Sequence, residues 1–249
     1  MISYILTPWD SAVFKVKTAE IVFEETKVYS YEEISQRFNE IEEKLAEETI
    51  EFCYTRVNSN DIRLKKLLFE KNFYFAESSL EISKLKVQKF ESKKLPALKL
   101  EVAQQGDIPH IKEIANSSFD FSRFHEDPYI DLDLAKARYE NWIDDLVKQE
   151  VIIQVAKVND EIIGINIQKF NPLKKEVSLI LCGCKKGAEL YVLSLWNEII
   201  SYNKEAGIRK ISTLISTSNT NMANIYSYFD FKFNKTLFGY HKSYNNEDH

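Results

Sequence analysis

The stretch Asn219-Thr220-Asn221-Met222-Ala223-Asn224-Ile225-Tyr226-Ser227-Tyr228-Phe229-Asp230-Phe231 decides the fold. Asn219 is a helix-capping residue type, and a short helix is predicted over Asn221 to Phe229. Asp230 stands where that helix must stop, and Asp enters the left-handed backbone region more readily than most residues. Phe231 to His241 then reads as a strand. Upstream, Ile208 to Ser216 is strand-like, Leu190 to Asn203 is an apolar-striped helix ended by Gly207, and Val177 to Cys184 is another strand.

Further out, Val151 to Val158 and Ile162 to Phe170 are strands joined at Asn159-Asp160, a hairpin signal. Leu134 to Val147 is a helix with Ala135, Tyr139, Trp142, Ile143 and Leu146 on one face. Phe119 to Tyr129 is irregular and aromatic. Gln105-Gly106-Asp107-Ile108-Pro109 opens a helix, with Pro in its first turn, and Leu98 to Val102 is a strand before it. The order β-α-α-β-β-β-α-β-α-β predicts an α/β (α+β) domain with a partly parallel sheet, over residues 94–249. Val87 to Ala97, charged and containing Pro96, reads as a linker. Residues 1–93 read as a smaller mixed α/β domain. It has strands at Thr18 to Phe23, Glu51 to Val57 and Phe73 to Leu85, and helices at Tyr31 to Glu48 and after Asn60. No strict internal repeat is apparent. Asn58 to Phe73 loosely echoes Asn219 to Phe231, as a half copy of the second domain would.

The chain has 249 residues, a hydrophobic fraction of 44% and a net charge of −5. That balance argues against a nucleic-acid binder, which needs a basic stripe. A small anionic ligand needs only one local positive site. Cys53, Cys182 and Cys184 form no disulfide framework and lack the partners of a zinc site. On a strand, Cys182 and Cys184 share a face. No run of about 18 apolar residues occurs, so no membrane span is expected, and the start of the chain lacks the charged and apolar regions of a secretory signal. A cytoplasmic protein is expected.

The closing stretch resembles the last motif of the GNAT superfamily of N-acyltransferases. There an Asn is followed seven residues on by Tyr, and five later by the Phe of a Gly-Phe pair; here Asp230 takes the Gly position. Three further segments sharpen the resemblance to the TDP-fucosamine (TDP-4-amino-4,6-dideoxygalactose) acetyltransferases of bacterial surface-polysaccharide synthesis. They are Pro8 to Phe14, the pair Phe119 to Phe124 and Tyr139 to Ile143, and Gly187 to Leu190. The resemblance implies acetyl-CoA as co-substrate, a GNAT fold, and transfer of the acetyl group to the amine of a TDP-linked 4-amino-4,6-dideoxyhexose.

Site expectations follow residue by residue. Tyr226 matches the proton donor. Asn219 is either a cofactor ligand or a plain helix cap. The cofactor loop is expected across Leu181, Cys182, Gly183, Cys184, Lys185, Lys186 and Gly187, although Lys185 stands where the family has Gly. Helix N-termini bind diphosphates through free N–H groups and the helix dipole. The alternative for this stretch is an ordinary strand-to-helix turn with two solvated lysines. Arg123 is the residue for a nucleotide-sugar diphosphate, because a guanidinium pairs bidentately with phosphate. His125 is the candidate base on the amine, against a turn role for its neighbours. Tyr228 is expected to be structural. No metal is expected, and a homodimer stays open. Two other readings remain: a GNAT enzyme on another small amine or with a longer acyl group, and a GNAT-like binding protein that has lost catalysis.

Overall fold

The computed structural model describes residues 1–24 and 28–244. Its elements in chain order are β1 (Ile2–Leu6), α1 (Pro8–Phe14), β2 (Thr18–Phe23), α2 (Tyr31–Glu47), β3 (Phe52–Asn58), α3 (Ile62–Glu70) and β4 (Tyr74–Leu85). There follow β5 (Lys99–Val102), α4 (Ile108–Ser118), α5 (Leu132–Leu146), β6 (Ile152–Val158), β7 (Glu161–Asn171) and β8 (Glu176–Cys184). The last are α6 (Val192–Glu205), β9 (Lys210–Ser216), α7 (Thr220–Tyr228) and β10 (Lys232–Ser243). The α/β expectation is met. β1 and α1 have no counterpart among the elements expected from sequence, because their short apolar runs carry no clear period.

The ten strands form one sheet in the order β1-β2-β3-β10-β4-β9-β8-β7-β6-β5. Two neighbouring pairs are parallel, β2 with β3 and β8 with β9. Alternation along the strands sorts side chains between the faces. On one face, Ala19, Ile21, Cys53 and Val57 pack with the apolar stripes of α2 and α3. On the same face, Val177, Leu179 and Ile211 pack with α6 and with Tyr226 of α7. On the opposite face, α4 and α5 cover Val155, Ile165, Ile167 and Leu181. There too, Phe52 and Tyr54 meet Phe124 and Ala135.

The elements of residues 18–85 recur 158 residues later without a gap. β3, α3 and β4 start and stop where β9, α7 and β10 do, 52 against 210 through 85 against 243. Asp61 caps α3 by accepting from the Leu64 N–H at 3.2 Å, and Asn219 caps α7 by accepting from the Met222 N–H at 3.1 Å. Asn72 (φ 60°) and Asp230 (φ 59°) end the two helices in the left-handed region. The Asp230 expectation therefore holds in backbone terms. Thr49 and Gly207 do the same after α2 and α6. Strict repetition is thus present in the backbone although the residues hide it.

The two copies exchange their last strands. β4 leaves the first half to pair with β9, and β10 leaves the second to pair with β3. The reciprocity extends to single bonds. Ser59 N–H donates to Thr236 O (3.0 Å), and Thr217 N–H donates to Ser78 O (2.8 Å). The stretch after β4 is not a loose tether. Val87 and Phe90 are buried, Gln88 Nε2 donates to Ile208 O (2.7 Å), and Lys204 Nζ donates to Phe90 O (2.7 Å). Its two apolar side chains give it a surface to pack against α6, which charge and Pro96 obscured.

Candidate active site

The parallel pair β8 and β9 opens into a wedge. The strands pair only at Glu176–Lys210, Val177–Ile211 and Ser178–Ser212. Just beyond, β8 carries a bulge: Leu179 faces Gln168 and Leu181 faces Ile167 on β7, with Ile180 extra between them. A bulge bends its strand and shifts the side-chain alternation. Leu179 accordingly packs under α6, whereas Leu181 packs under α4 and α5. Cys182 and Cys184 both return to the α6 side, as their spacing predicts. β9 stays with β4 as far as Ser216, so the facing edges of β8 and β9 separate. Thr213 Oγ1 donates to Leu179 O (3.1 Å) near the apex.

The wedge gives onto a cleft of about 670 Å³ lined from β2 to β8 and by the 119–124 segment. Tyr226, Asn219, Leu181, Cys182 and Arg123 all line it. Tyr226 is 3% exposed, with its ring edge-on to Trp196 and to Phe231. Burial pushes its pKa far above the ordinary phenol value, and Cys182 adds to that while the Thr213 hydroxyl opposes it. The phenol stays protonated across the physiological range, the state a proton donor requires. Asn219 is a helix cap through its Oδ1 and also faces the cleft. Tyr228 is half exposed, 46%, and packs on Phe229 outside it.

The other residues expected of the cofactor loop are not among those lining the cleft. Gly183 and Cys184 lie in β8, where a Cβ on Gly183 would come within 3.1 Å of the Phe119 ring. Lys185 is ion-paired with Glu161, and Lys186 Nζ lies 3.5 Å from Asp120. Gly187 N–H donates to Glu189 Oε1 (2.8 Å), so a carboxylate of the chain itself occupies that donor at the turn into α6. Hydrogen bonds from the Gly187 and Glu189 backbone hold the Glu189 pKa below the usual carboxylate value.

The 119–131 segment is fastened to both halves. Arg123 Nη1 donates to Glu20 Oε1 (3.0 Å), and its guanidinium lies 4.1 Å from the centre of the Tyr54 ring. Asp127 Oδ2 lies 2.6 Å from His241 Nδ1 and accepts from Tyr74 OH at 2.8 Å. Glu126 Oε2 accepts from Ser218 Oγ (2.9 Å). His125 Nδ1 lies 2.9 Å from Ser122 Oγ, and burial lowers its pKa, partly opposed by Asp120. Ser122 lines the cleft and His125 does not, so His125 reaches it through that hydroxyl. Arg138 Nε donates to the buried Asp10 (2.5 Å), which also accepts from Tyr54 OH.

Arg56, Glu77 and Ser79 carry no motif that would single them out in the sequence. Arg56 Nε donates to Glu77 Oε1 (2.6 Å), and Ser79 Oγ donates to both Glu77 oxygens (2.7 and 2.6 Å). All three line the cleft. Arg56 on β3 and Glu77 on β4 are not adjacent; Gly239 of β10 lies between them in register. A Cβ there would sit 2.8 Å from Glu77 Cγ, so the bare glycine lets the ion pair cross β10. A glycine inside a strand is the sequence signal for such a close approach.

Among the described residues, no group of acidic, His and Cys side chains could hold a metal ion, and no helix is long and apolar enough to cross a membrane. No family model matches the sequence. A search of characterised proteins finds spore coat polysaccharide biosynthesis protein SpsD of Bacillus subtilis (strain 168). It is 30% identical over 116 residues, spanning 46% of this chain and 39% of that protein. Among solved structures, a GCN5-related N-acetyltransferase from Sphaerobacter thermophilus superposes with TM-score 0.66 and 10% identity, over 97% of this chain and 76% of that one. The tandem GNAT protein from the clavulanic acid biosynthesis pathway gives TM-score 0.62 and 9% identity, over 93% and 76%. A conserved Staphylococcus epidermidis protein of unknown function gives TM-score 0.63 and 12% identity, over 91% and 84%. With its opened parallel pair and these neighbours, the chain has the fold of the GCN5-related N-acetyltransferases.

Proposed function

We propose that this protein is an acetyl-CoA-dependent N-acetyltransferase acting on the amine of a TDP-linked 4-amino-4,6-dideoxyhexose. The observation that carries the reading is the β8/β9 wedge, with a buried, protonated Tyr226 beneath it and a long polar cleft in front. The partial likeness to a spore coat polysaccharide biosynthesis protein supports the sugar substrate. Residues 1–93 are read as the remnant of a half copy of this fold, which the constant 158-residue offset supports.

The wedge fits the cofactor's extended, amide-bearing arm, because separated strand edges offer unpaired backbone donors and acceptors. Leu181, Cys182 and Asn219 would hold that arm. The turn at Lys185, Lys186 and Gly187 fits the diphosphate once the Glu189 carboxylate swings away from Gly187. Acetyl-CoA supplies a thioester whose carbonyl carbon accepts the amine nitrogen as the C–S bond breaks. Tyr226 gives its proton to the departing sulfur. Burial opposes a lasting phenolate, so Tyr226 releases the proton in step with C–S cleavage and takes one back from solvent as the thiol leaves the open cleft. The amine's surplus proton passes by way of Ser122 to His125, whose ring burial keeps neutral near pH 7.

Thiol release from acetyl-CoA, measured with a panel of TDP-linked amino sugars, tests the reading. Turnover with a TDP-amino sugar is expected. No turnover with any nucleotide-linked amine would remove the substrate class, and faster release from longer acyl-CoA donors would change the acyl group. Glu189 on the Gly187 N–H favours the second reading, a binding protein without catalysis. Calorimetry separates the two, since that reading requires acetyl-CoA not to bind.

A further inference from the structure

Away from the wedge, β2, β3 and β4 of the first half line the cleft together with the 119–124 segment, and two arginines lie there. Arg56 and Arg123 both line it. Each is held by one acid through one N–H, Arg56 Nε by Glu77 and Arg123 Nη1 by Glu20. Among the described residues neither guanidinium has another hydrogen-bond partner, and a guanidinium has five N–H donors. Glu77 is nearly saturated: it takes Arg56 Nε on one oxygen and Ser79 Oγ on both. Both side chains line the same cleft, and burial, with the positive charge of Arg123, lowers the Arg56 pKa. The Arg123 plane is fixed by stacking on Tyr54, and Arg56 is aimed by the Glu77 pair over Gly239. Two pre-oriented guanidiniums with free N–H groups match phosphate oxygens.

We propose that Arg56 and Arg123 form a diphosphate-binding subsite for the acceptor, with Glu77 and Gly239 as positioning residues. It deepens the transfer reading, on which it rests for the identity of the acceptor. β3, which carries Arg56, lies three strand spacings from β9, about 14 Å. A sugar ring with its phosphates behind it can cover that distance with its amine toward the wedge. The first half of the chain thus contributes Arg56 and Glu77 to acceptor binding beside Arg123 of the 119–131 segment, while the acetyl-transfer machinery lies in the second.

The test is binding of thymidine diphosphate to the full chain, read by fluorescence of Trp142, which lines the same cleft. Binding is expected to weaken at least ten-fold in Arg56→Gln and to recover in part in Arg56→Lys. Thymidine without phosphates should not bind at the same concentrations. Circular dichroism of each variant keeps a folding failure from passing as a binding loss. Equal thymidine diphosphate affinity in wild type and folded Arg56→Gln would overturn the subsite. So would displacement of thymidine diphosphate by CoA, which would assign it to the cofactor turn. Arg56-dependent thymidine diphosphate binding without thiol release would sink the transfer reading and leave the subsite standing. Thiol release with unchanged KM for the TDP-amino sugar in Arg56→Gln would do the reverse.

Discussion

Residues 18–85 and 176–243 share one backbone plan but differ where chemistry would be done. In the second half, Tyr226 faces the cleft; 158 residues earlier the position is Leu68, fully buried against α2 and its strands. β2 and β3 stay paired through Ile21–Thr55, four positions, whereas β8 and β9 part after three, at a bulge. α2 starts with a capping box, Ser30 and Glu33 bonding each other's backbone, so its end is closed to other ligands. α6 has no such side-chain cap, only the Glu189 contact just before it. The lesson is that a few positions convert a closed parallel pair into an open one, while the apolar residues that keep the fold are shared. Phe38 and Trp196, the corresponding residues of α2 and α6, are both fully buried.

The largest test of this contrast is Tyr226→Phe. Turnover should fall by roughly 10²- to 10³-fold, as for loss of a general acid, with acetyl-CoA affinity nearly unchanged. Thiol release against cofactor titration reads both, and wild-type turnover would remove Tyr226 from the chemistry. Next is Gly239→Ala, at the seam where the exchanged strands meet. Forcing a Cβ against Glu77 should cost about 1–3 kcal/mol in urea unfolding and weaken thymidine diphosphate binding. An unchanged midpoint would mean that Glu77 moves aside freely.

Asn72→Ala and Asp230→Ala probe the likeness rather than the difference. Both positions have φ near +60°, so each should lose about 1 kcal/mol, and by similar amounts. A large disparity in their unfolding midpoints would break the equivalence of the two helix ends. The smallest effect belongs to Glu189→Gln. Removing a negative charge beside the Gly187 N–H should tighten CoA by roughly two- to five-fold in calorimetry. Weaker binding would show that Glu189 shapes the turn instead of competing for it.

Much of this was legible in the sequence because it is local. Helical spacing of apolar residues marks α2, α5 and α6, and the Asn159-Asp160 hairpin appears with both residues at positive φ. Asn219 to Phe231 identified both a helix with its stop and the tyrosine on the cleft. Strand partners are a different matter. Nothing within β4 or β10 states that each will join the other half, since that choice depends on contacts at least 125 residues away. For the same reason nothing in the sequence around Arg56, Glu20 and Glu77 sets them apart from the other charges of strands. Arg123, singled out in the sequence, does line the cleft, but its buried pairing with Glu20 has no local signal. The Glu189 contact also escaped, because a single acid in a turn has many partners open to it.

The exchange of β4 and β10 has a consequence for how the molecule comes into being. During synthesis β4 emerges long before β9, the strand on one side of it, and β10, the strand on the other. β3 likewise waits for β10 to cover its open edge. An unpaired strand edge is a template for pairing with other chains. The centre of the sheet therefore closes only after residues 232–243 have left the ribosome, and contacts of such sequence separation form slowly. The protein should fold as one late cooperative event rather than half by half. Any stall before β10 would leave two sticky, mutually dependent intermediates for chaperones to hold.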